Sequence, residues 1–392
     1  MKSHNFLLKI VSVIIISTIL TGCSGTATPL SATATSIPPS ETPSITLVEP
    51  TPTPLPVSTS VPATSLTIAD KCIPVEENLP NDLALSGVWL RNEATPYFEN
   101  LDDHADYLVP FKGGGLFREY AISPDGKLMA YIDPYMDPAR NGTEKRILRV
   151  VRSSGHAINM DYWVEDWQSI LVWVDNQNIA LLNAKEEIII LNPLTGEWKN
   201  IQEPRWLPQK ASKYDYFPNY TFGPTLNLIF IRPDYKSHEV RDFQTGKVIW
   251  QAKNSADVTW SPDGSMLIIT PSKGGFIYLI TKDMQVKKYD IRNITPDPVY
   301  KISLSPNGSM IALDDSTFFL FDLTQTQVNK LCAENIQPWY DPIWSPDNRF
   351  IIQPAHISFT EEFDLLIDTQ EMHAYKLISG QYNHRIAWLA KP

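Results

Sequence analysis

Residues 256–270 read Ala-Asp-Val-Thr-Trp-Ser-Pro-Asp-Gly-Ser-Met-Leu-Ile-Ile-Thr: a short apolar strand, a turn, and a second apolar strand. The turn explains its own residues. Proline presets φ at the first corner, and Asp-Gly accepts the positive φ needed further on. The same pattern recurs at Ile122-Ser123-Pro124-Asp125-Gly126, Leu304-Ser305-Pro306-Asn307-Gly308 and Trp344-Ser345-Pro346-Asp347-Asn348. Each copy predicts a strand–turn–strand hairpin.

A second signal follows in each unit. Leu191-Asn192-Pro193-Leu194-Thr195-Gly196 and Asp242-Phe243-Gln244-Thr245-Gly246 join a third strand to a fourth. Phe321-Asp322-Leu323-Thr324 and Ile367-Asp368-Thr369 are weaker versions. Two degenerate first turns fill the gaps, at Trp173-Val174-Asp175-Asn176 and Phe222-Gly223-Pro224-Thr225. The turns start near 123, 173, 223, 261, 305 and 345. Four antiparallel strands every ~40–50 residues is the pattern of a β-propeller blade.

The two ends supply a seventh blade. Arg385–Leu389 is an apolar strand with nothing after it, and Gly87–Arg91 is a strand with no first strand before it. The expected fold is therefore all-β: seven four-stranded blades over residues 84–392, closed by N- and C-terminal strands in one blade. Closure removes exposed sheet edges. These units resemble the WD40-like repeats of TolB-type propellers, whose turn carries Ser-Pro-Asp-Gly. They lack the Trp-Asp pair of true WD40 repeats, and no α/β domain precedes them as in TolB itself. Propellers host binders and enzymes alike, so the resemblance implies a fold and leaves the activity open.

The first 22 residues read as an address. Lys2 and Lys9 flank the start of an apolar run that reaches Leu20, too short to span a bilayer and suited to a secretory signal. The run ends in Leu20-Thr21-Gly22-Cys23. This resembles the bacterial lipobox, which implies a mature chain that begins at Cys23, with diacylglycerol on its thiol and palmitate-type acyl chains in the cell membrane on the extracytoplasmic side. Residues 24–67 are almost all Thr, Pro, Ser, Ala and Val, as in Thr51-Pro52-Thr53-Pro54. Such a stretch buries too little apolar surface to fold and is stiffened by proline, so a disordered tether is expected over 23–67. Residues 68–83 then form an N-terminal extension of the propeller.

Composition narrows the function classes. The chain has 392 residues, 43% of them hydrophobic, and a net charge of −11. With no basic stretch to offset that charge, a nucleic-acid footprint is missing. Cys72 and Cys332 are the cysteines left after Cys23 and are expected to pair in an oxidising compartment; two separate buried thiols are the alternative. The chain has no Gly-x-Ser-x-Gly elbow and no helical zinc-protease motif, and Gly113-Gly114-Gly115 lacks the lysine and helix of a phosphate loop. Asp102, Asp103, His104 and Asp106 form the densest acidic group, but without the spacing of a calcium loop. Asp125, Asp263 and Asp347 are read as turn-formers. No catalytic residue, metal or cofactor is assigned.

The candidate surface comes from architecture. Connections that enter an innermost strand gather at one end of a propeller. Here they hold Arg118 with Tyr120, Trp206, Tyr214, Tyr300 with Lys301, and Trp339 with Tyr340 and Asp341. The expected ligand-binding set is Arg118, Trp206, Tyr214, Tyr300, Trp339 and Tyr340. Polar-tipped aromatics beside charges suit a protein, peptide or glycan partner. The leading reading is a lipid-anchored envelope binding or scaffold protein. A carbohydrate-active hydrolase or lyase with its site in the funnel, and a purely structural envelope component, are the alternatives.

Overall fold

The computed structural model describes residues 61–392, apart from 92–96, 104, 110–119, 138–142, 165–170, 183–186, 203–205, 207–219, 235–236, 254–255, 272–274, 296–300, 315–316, 334–335, 339, 359–360 and 378–384. The regular structure of the described residues is entirely β-strand. The strands fall into seven sheets; six contain a meander of strands consecutive in sequence, and in the seventh the C-terminal strand joins three strands from the start of the propeller.

Blade 1 is Arg385–Leu389, Val88–Arg91, Tyr97–Asn100 and Asp106–Leu108. Blade 2 is Tyr120–Ile122, Leu128–Asp137, Thr143–Arg152 and Ala157–Val164. Blade 3 is Leu171–Trp173, Ile179–Leu182, Ile188–Leu191 and Trp198–Asn200, and blade 4 is Tyr220–Phe222, Leu228–Asp234, Ser237–Asp242 and Val248–Ala252. Blade 5 is Ala256–Trp260, Met266–Pro271, Phe276–Thr281 and Val286–Asp290, and blade 6 is Lys301–Leu304, Met310–Asp314, Phe318–Asp322 and Gln327–Lys330. Blade 7 has a split first strand, Gln337–Pro338 and Ile343–Trp344, followed by Phe350–Ser358, Glu361–Asp368 and His373–Leu377. First strands of neighbouring blades approach one another, as in blades 2 and 3, 5 and 6, and 7 and 1. The chain forms a seven-bladed β-propeller.

The first turn of each good repeat satisfies itself. The buried Ser261 hydroxyl accepts the Met266 amide at 2.9 Å, and the Gly264 amide donates to the Ser261 carbonyl at 2.8 Å. Asp263 accepts the Ser265 amide at 2.9 Å, and these bonds hold its carboxyl below the usual range against the opposing effect of burial. Ser123, Ser305 and Ser345 repeat the serine bond at 2.9, 2.9 and 2.8 Å. Gly264 has φ +67°, which glycine adopts at no steric cost. The turn aspartates are thus structural.

The core is seven wedges, one between each pair of neighbouring blades. The wedge between blades 7 and 1 seals the ring. Trp388, from the C-terminal strand, stacks on Phe350 at 6.1 Å and meets Trp89 edge-on at 5.4 Å. Its indole N–H donates to the Ser86 carbonyl at 3.0 Å. Gly87 (φ +103°) lets the backbone pass, since a Cβ there would lie 2.6 Å from the Leu389 carbonyl.

A strap supplements the ring. Ala63–Ser65 adds a parallel strand to the outer edge of blade 5, Thr67–Ile68 to blade 6, and Val75–Glu76 to blade 7. Cys72 and Cys332 form a disulfide with 5.1 Å between Cα atoms, and beside it the Cys332 amide donates to the Ile73 carbonyl at 2.8 Å. The expected tether boundary at residue 67 thus falls inside an ordered segment: 63–67 belong to the propeller rim. These residues resemble the tether in composition, but a ready-made sheet edge asks only for their backbone.

Removing the C-terminal strand should open the ring. Truncation after Gly380 should abolish the cooperative urea transition, and Trp388→Ala should lower unfolding stability by about 3–5 kcal/mol. A truncated chain that unfolds with the full-length midpoint would contradict closure through Arg385–Leu389.

Candidate functional site

The strand directions define two ends. The Ser-Pro-Asp-Gly and Thr-Gly turns share one end. The connections entering each first strand lie at the other, here called the mouth. An arc of four successive blades places side chains there: Lys301 in blade 6, Tyr340 and Asp341 in blade 7, Arg385 in blade 1 and Tyr120 in blade 2.

Lys301 stands at the start of a first strand, opposite Asp314 on the next. Its Nζ lies 5.3 Å from the centre of the Tyr340 ring. Burial pushes the amine down from its ordinary range, while Asp341 and Asp314 oppose that shift. Tyr340 sits in the break of the blade 7 first strand and is 40% exposed. Its carbonyl accepts the side-chain amide of the fully buried Gln353 at 3.0 Å. The same amide nitrogen donates to the Pro354 carbonyl at 3.0 Å, so two acceptors fix which end of the amide is nitrogen.

Tyr120, 37% exposed, begins the blade 2 first strand and donates its hydroxyl to the Ile386 carbonyl of blade 1. Burial, aided by the negative charge of Asp341, raises its pKa from 10.0 to about 12. That influence of Asp341 reaches from blade 7 past blade 1 to blade 2.

Deeper at this end the charges are paired. Arg385 Nη1 meets Asp364 at 2.7 Å and its guanidinium lies 4.2 Å from the Trp89 ring centre. Arg149 meets Asp133 at 2.6 Å. Asp364 and Asp133 are fully buried. Each carboxylate stabilises an arginine next to it, as buried charges require.

Of the six residues expected on one surface, Arg118, Tyr214, Tyr300 and Trp339 lie outside the described residues. Tyr340 is at the mouth, and so are Tyr120, Lys301 and Asp341, which the sequence placed beside the six. Trp206 is not. Its indole N–H donates to the Phe243 carbonyl at 3.2 Å, and its ring covers Gly246, whose added Cβ would meet it at 2.7 Å. It fills a crevice at the Thr-Gly turn end of blade 4, with Arg241 5.6 Å from its ring centre. A long connection let the indole reach a bare glycine turn, which sequence position alone did not reveal. Gln353 and Arg385 were not singled out from sequence, though a glutamine inside Ile351-Ile352-Gln353-Pro354-Ala355 is a legible sign of a buried polar role.

The other chemical candidates resolve into structure. Asp102 pairs with Lys391 at 3.0 Å, and Asp103 accepts the Ala105 amide at 3.0 Å; His104 lies outside the described residues. Among the described residues no group of His, Cys, Asp or Glu is placed to hold a metal ion.

No protein-family model matches the chain, and the search of curated proteins gave no significant match. Among solved structures, it is similar to a functionally unknown protein from Desulfotomaculum acetoxidans, at 13% identity and TM-score 0.49, over 78% of this chain and 100% of that one. It is also similar to the β-propeller domain of Cps50 (Swd1) from Myceliophteria thermophila, at 10% identity and TM-score 0.45, over 71% and 96%. Likenesses of this size say nothing of function, and the seven blades stand on strand pairing.

The phenol of Tyr120 should titrate late. Its raised pKa means that its contribution to stability is complete below pH 10.0 and is lost as pH rises toward about 12. An ultraviolet tyrosinate titration should show one fewer late-ionising group in Tyr120→Phe. Wild-type stability should fall relative to that variant across the same window. Identical titrations would contradict the buried hydroxyl bonded to the Ile386 carbonyl.

Proposed function

We propose that the protein is a lipid-anchored propeller of the bacterial cell envelope that binds its ligand at the mouth. The observation that carries the binding reading is the convergence of Tyr120, Lys301, Tyr340 and Asp341 from blades 2, 6 and 7. Two partly exposed tyrosines stand beside a lysine and a carboxylate, with rigid, ion-paired strand ends beneath them. Such a surface combines large ring area, low conformational cost and both signs of charge, the composition of binding hot spots. The carboxylates deepest at this end are engaged with arginines, which favours binding over acid–base chemistry.

The anchoring reading rests on Leu20-Thr21-Gly22-Cys23 after a short apolar run, and on the Thr/Pro/Ser stretch that follows. It gives the tether a purpose: a proline-stiffened spacer holds a domain away from the bilayer. The TolB-type turn agrees with an envelope setting, by resemblance alone.

Each half has its own test. Cys23→Ala should leave the protein unprocessed or release it from the membrane fraction. A variant that matures normally and still sediments with membranes would refute anchoring.

For the mouth, a photoreactive phenylalanine analogue at position 340 should form a covalent adduct in intact cells. The same analogue at exposed Leu194, on the turn end of blade 3, should form none. No adduct at 340, or equal adducts at both positions, would refute the binding surface.

A further inference from the structure

We propose that the Cys72–Cys332 bond is a clasp that a dithiol reductant opens, and that its reduction lets the strap leave the rim while the ring stays closed. The clasp stands on the geometry of the strap and goes beyond the binding and anchoring readings.

Both cysteines are exposed, and so are Asp70 and Lys71 beside them. A reductant therefore reaches the bond in the folded protein. The chain it secures is thinly held. Ala63–Ser65 and Thr67–Ile68 are exposed throughout and pair over three and two residues. Val75–Glu76 adds two pairs on blade 7, where Glu76 meets His373 at 2.9 Å and Glu77 meets Lys376 at 2.7 Å. Ile73 is the one fully buried side chain of residues 61–76. Leu66 and Val75 are half-buried against the wedges between blades 5 and 6 and blades 6 and 7. Short pairings on a wet edge and surface ion pairs contribute little against the ordering entropy of the chain.

The covalent bond decides which openings are available. With Cys72 tied to blade 6, the strap opens only in pieces on either side, and Ile73 stays next to its pocket. Without the bond, residues 61–76 can leave as one unit, a local opening below the cost of unfolding the whole domain. Departure ends at Leu79, Leu83 and Leu85, which pack against the wedge that seals the ring. No strap strand belongs to the sheet in which Arg385–Leu389 pairs with Val88–Arg91, so closure survives.

The exchange balances. One thiolate of the dithiol attacks a sulfur of the bond, forms a mixed disulfide and expels the other cysteine, which takes up a proton. The second thiol of the reductant then displaces the protein sulfur. The reductant leaves as a disulfide, and the protein holds two thiols. On the anchoring reading, release adds residues 61–76 to the tether, up to about 50 Å of extended chain. It also uncovers the outer edges of blades 5, 6 and 7.

The test is hydrogen exchange, read by mass spectrometry, on the full-length protein in detergent with and without dithiothreitol. Alkylation should find two new thiols without denaturant. Amides in 63–76 should then exchange about ten-fold faster or more, while those of Arg385–Leu389 keep their rate. The double variant Cys72→Ser with Cys332→Ser should match the reduced protein and ignore the reductant. The clasp is overturned if dithiothreitol cuts the bond only in urea, or if strap exchange is the same in both states. It is also overturned if Arg385–Leu389 accelerates as much as the strap, the response of a disulfide that only raises overall stability. Membrane fractionation of Cys23→Ala reads anchoring separately, so either reading can fail while the other stands.

Discussion

The structure depends on one constraint: no blade can bury its faces alone, so the ring must close. Every core cluster lies between two neighbours, and the seventh exists only because Arg385–Leu389 pairs with Val88–Arg91. Four residues of register, an indole stacked on Phe350 and a hydrogen bond to Ser86 join the two ends of a propeller roughly 300 residues apart in sequence. An open arc of blades would leave two apolar faces in water, with each terminal sheet packed on one side only. Closure buries both faces at once and couples every blade to two neighbours.

Within each blade the Ser-Pro-Asp-Gly turn does its work locally, and it also links blades. Asn176 of blade 3 accepts the Asp125 amide of blade 2 at 2.9 Å, and Asn348 of blade 7 accepts the Asn307 amide of blade 6 at 2.6 Å. The degenerate turn at Gly223 has a physical reason. The Trp260 ring from blade 5 lies over it, and a Cβ at 223 would sit 2.4 Å from that ring. Serine is excluded there by its neighbour, and the turn bond from its hydroxyl is given up for an inter-blade indole contact.

What the sequence made legible follows from the same physics. Turns that satisfy themselves must carry their chemistry in a few adjacent residues, so Ser123, Ser261, Ser305 and Ser345 announced their blades. The orphan strands at the ends implied the closing blade, and the disulfide between Cys72 and Cys332 followed from two remaining cysteines. The strap was hidden for the opposite reason. Ala63-Thr64-Ser65 and Thr67-Ile68 pair through backbone alone onto edges that other residues built, so no alternation marks them. The mouth was legible in outline only. Chain topology brings Tyr120, Lys301 and Tyr340 to one end, whereas Trp206 left that end to cover Gly246, a contact set by shape across a blade boundary.

On the proposed reading, the strap keeps the point of attachment of the chain apart from the mouth. Before the chain reaches Val88, the strand that closes the ring, it has already made three parallel pairings on blades 5, 6 and 7 and a disulfide to blade 6. A pull on the chain ahead of the strap therefore meets the rim first. Parallel edge pairs and a covalent bond resist it before the non-covalent pairing of Val88–Arg91 with Arg385–Leu389 is loaded. Because the strap follows the outer strands, it occupies none of the space in front of the first strands, where Tyr120, Lys301 and Tyr340 stand. A domain held by its rim keeps its mouth clear, and the same closure that buries the seven wedges holds those three side chains, from blades distant in sequence, at fixed separation.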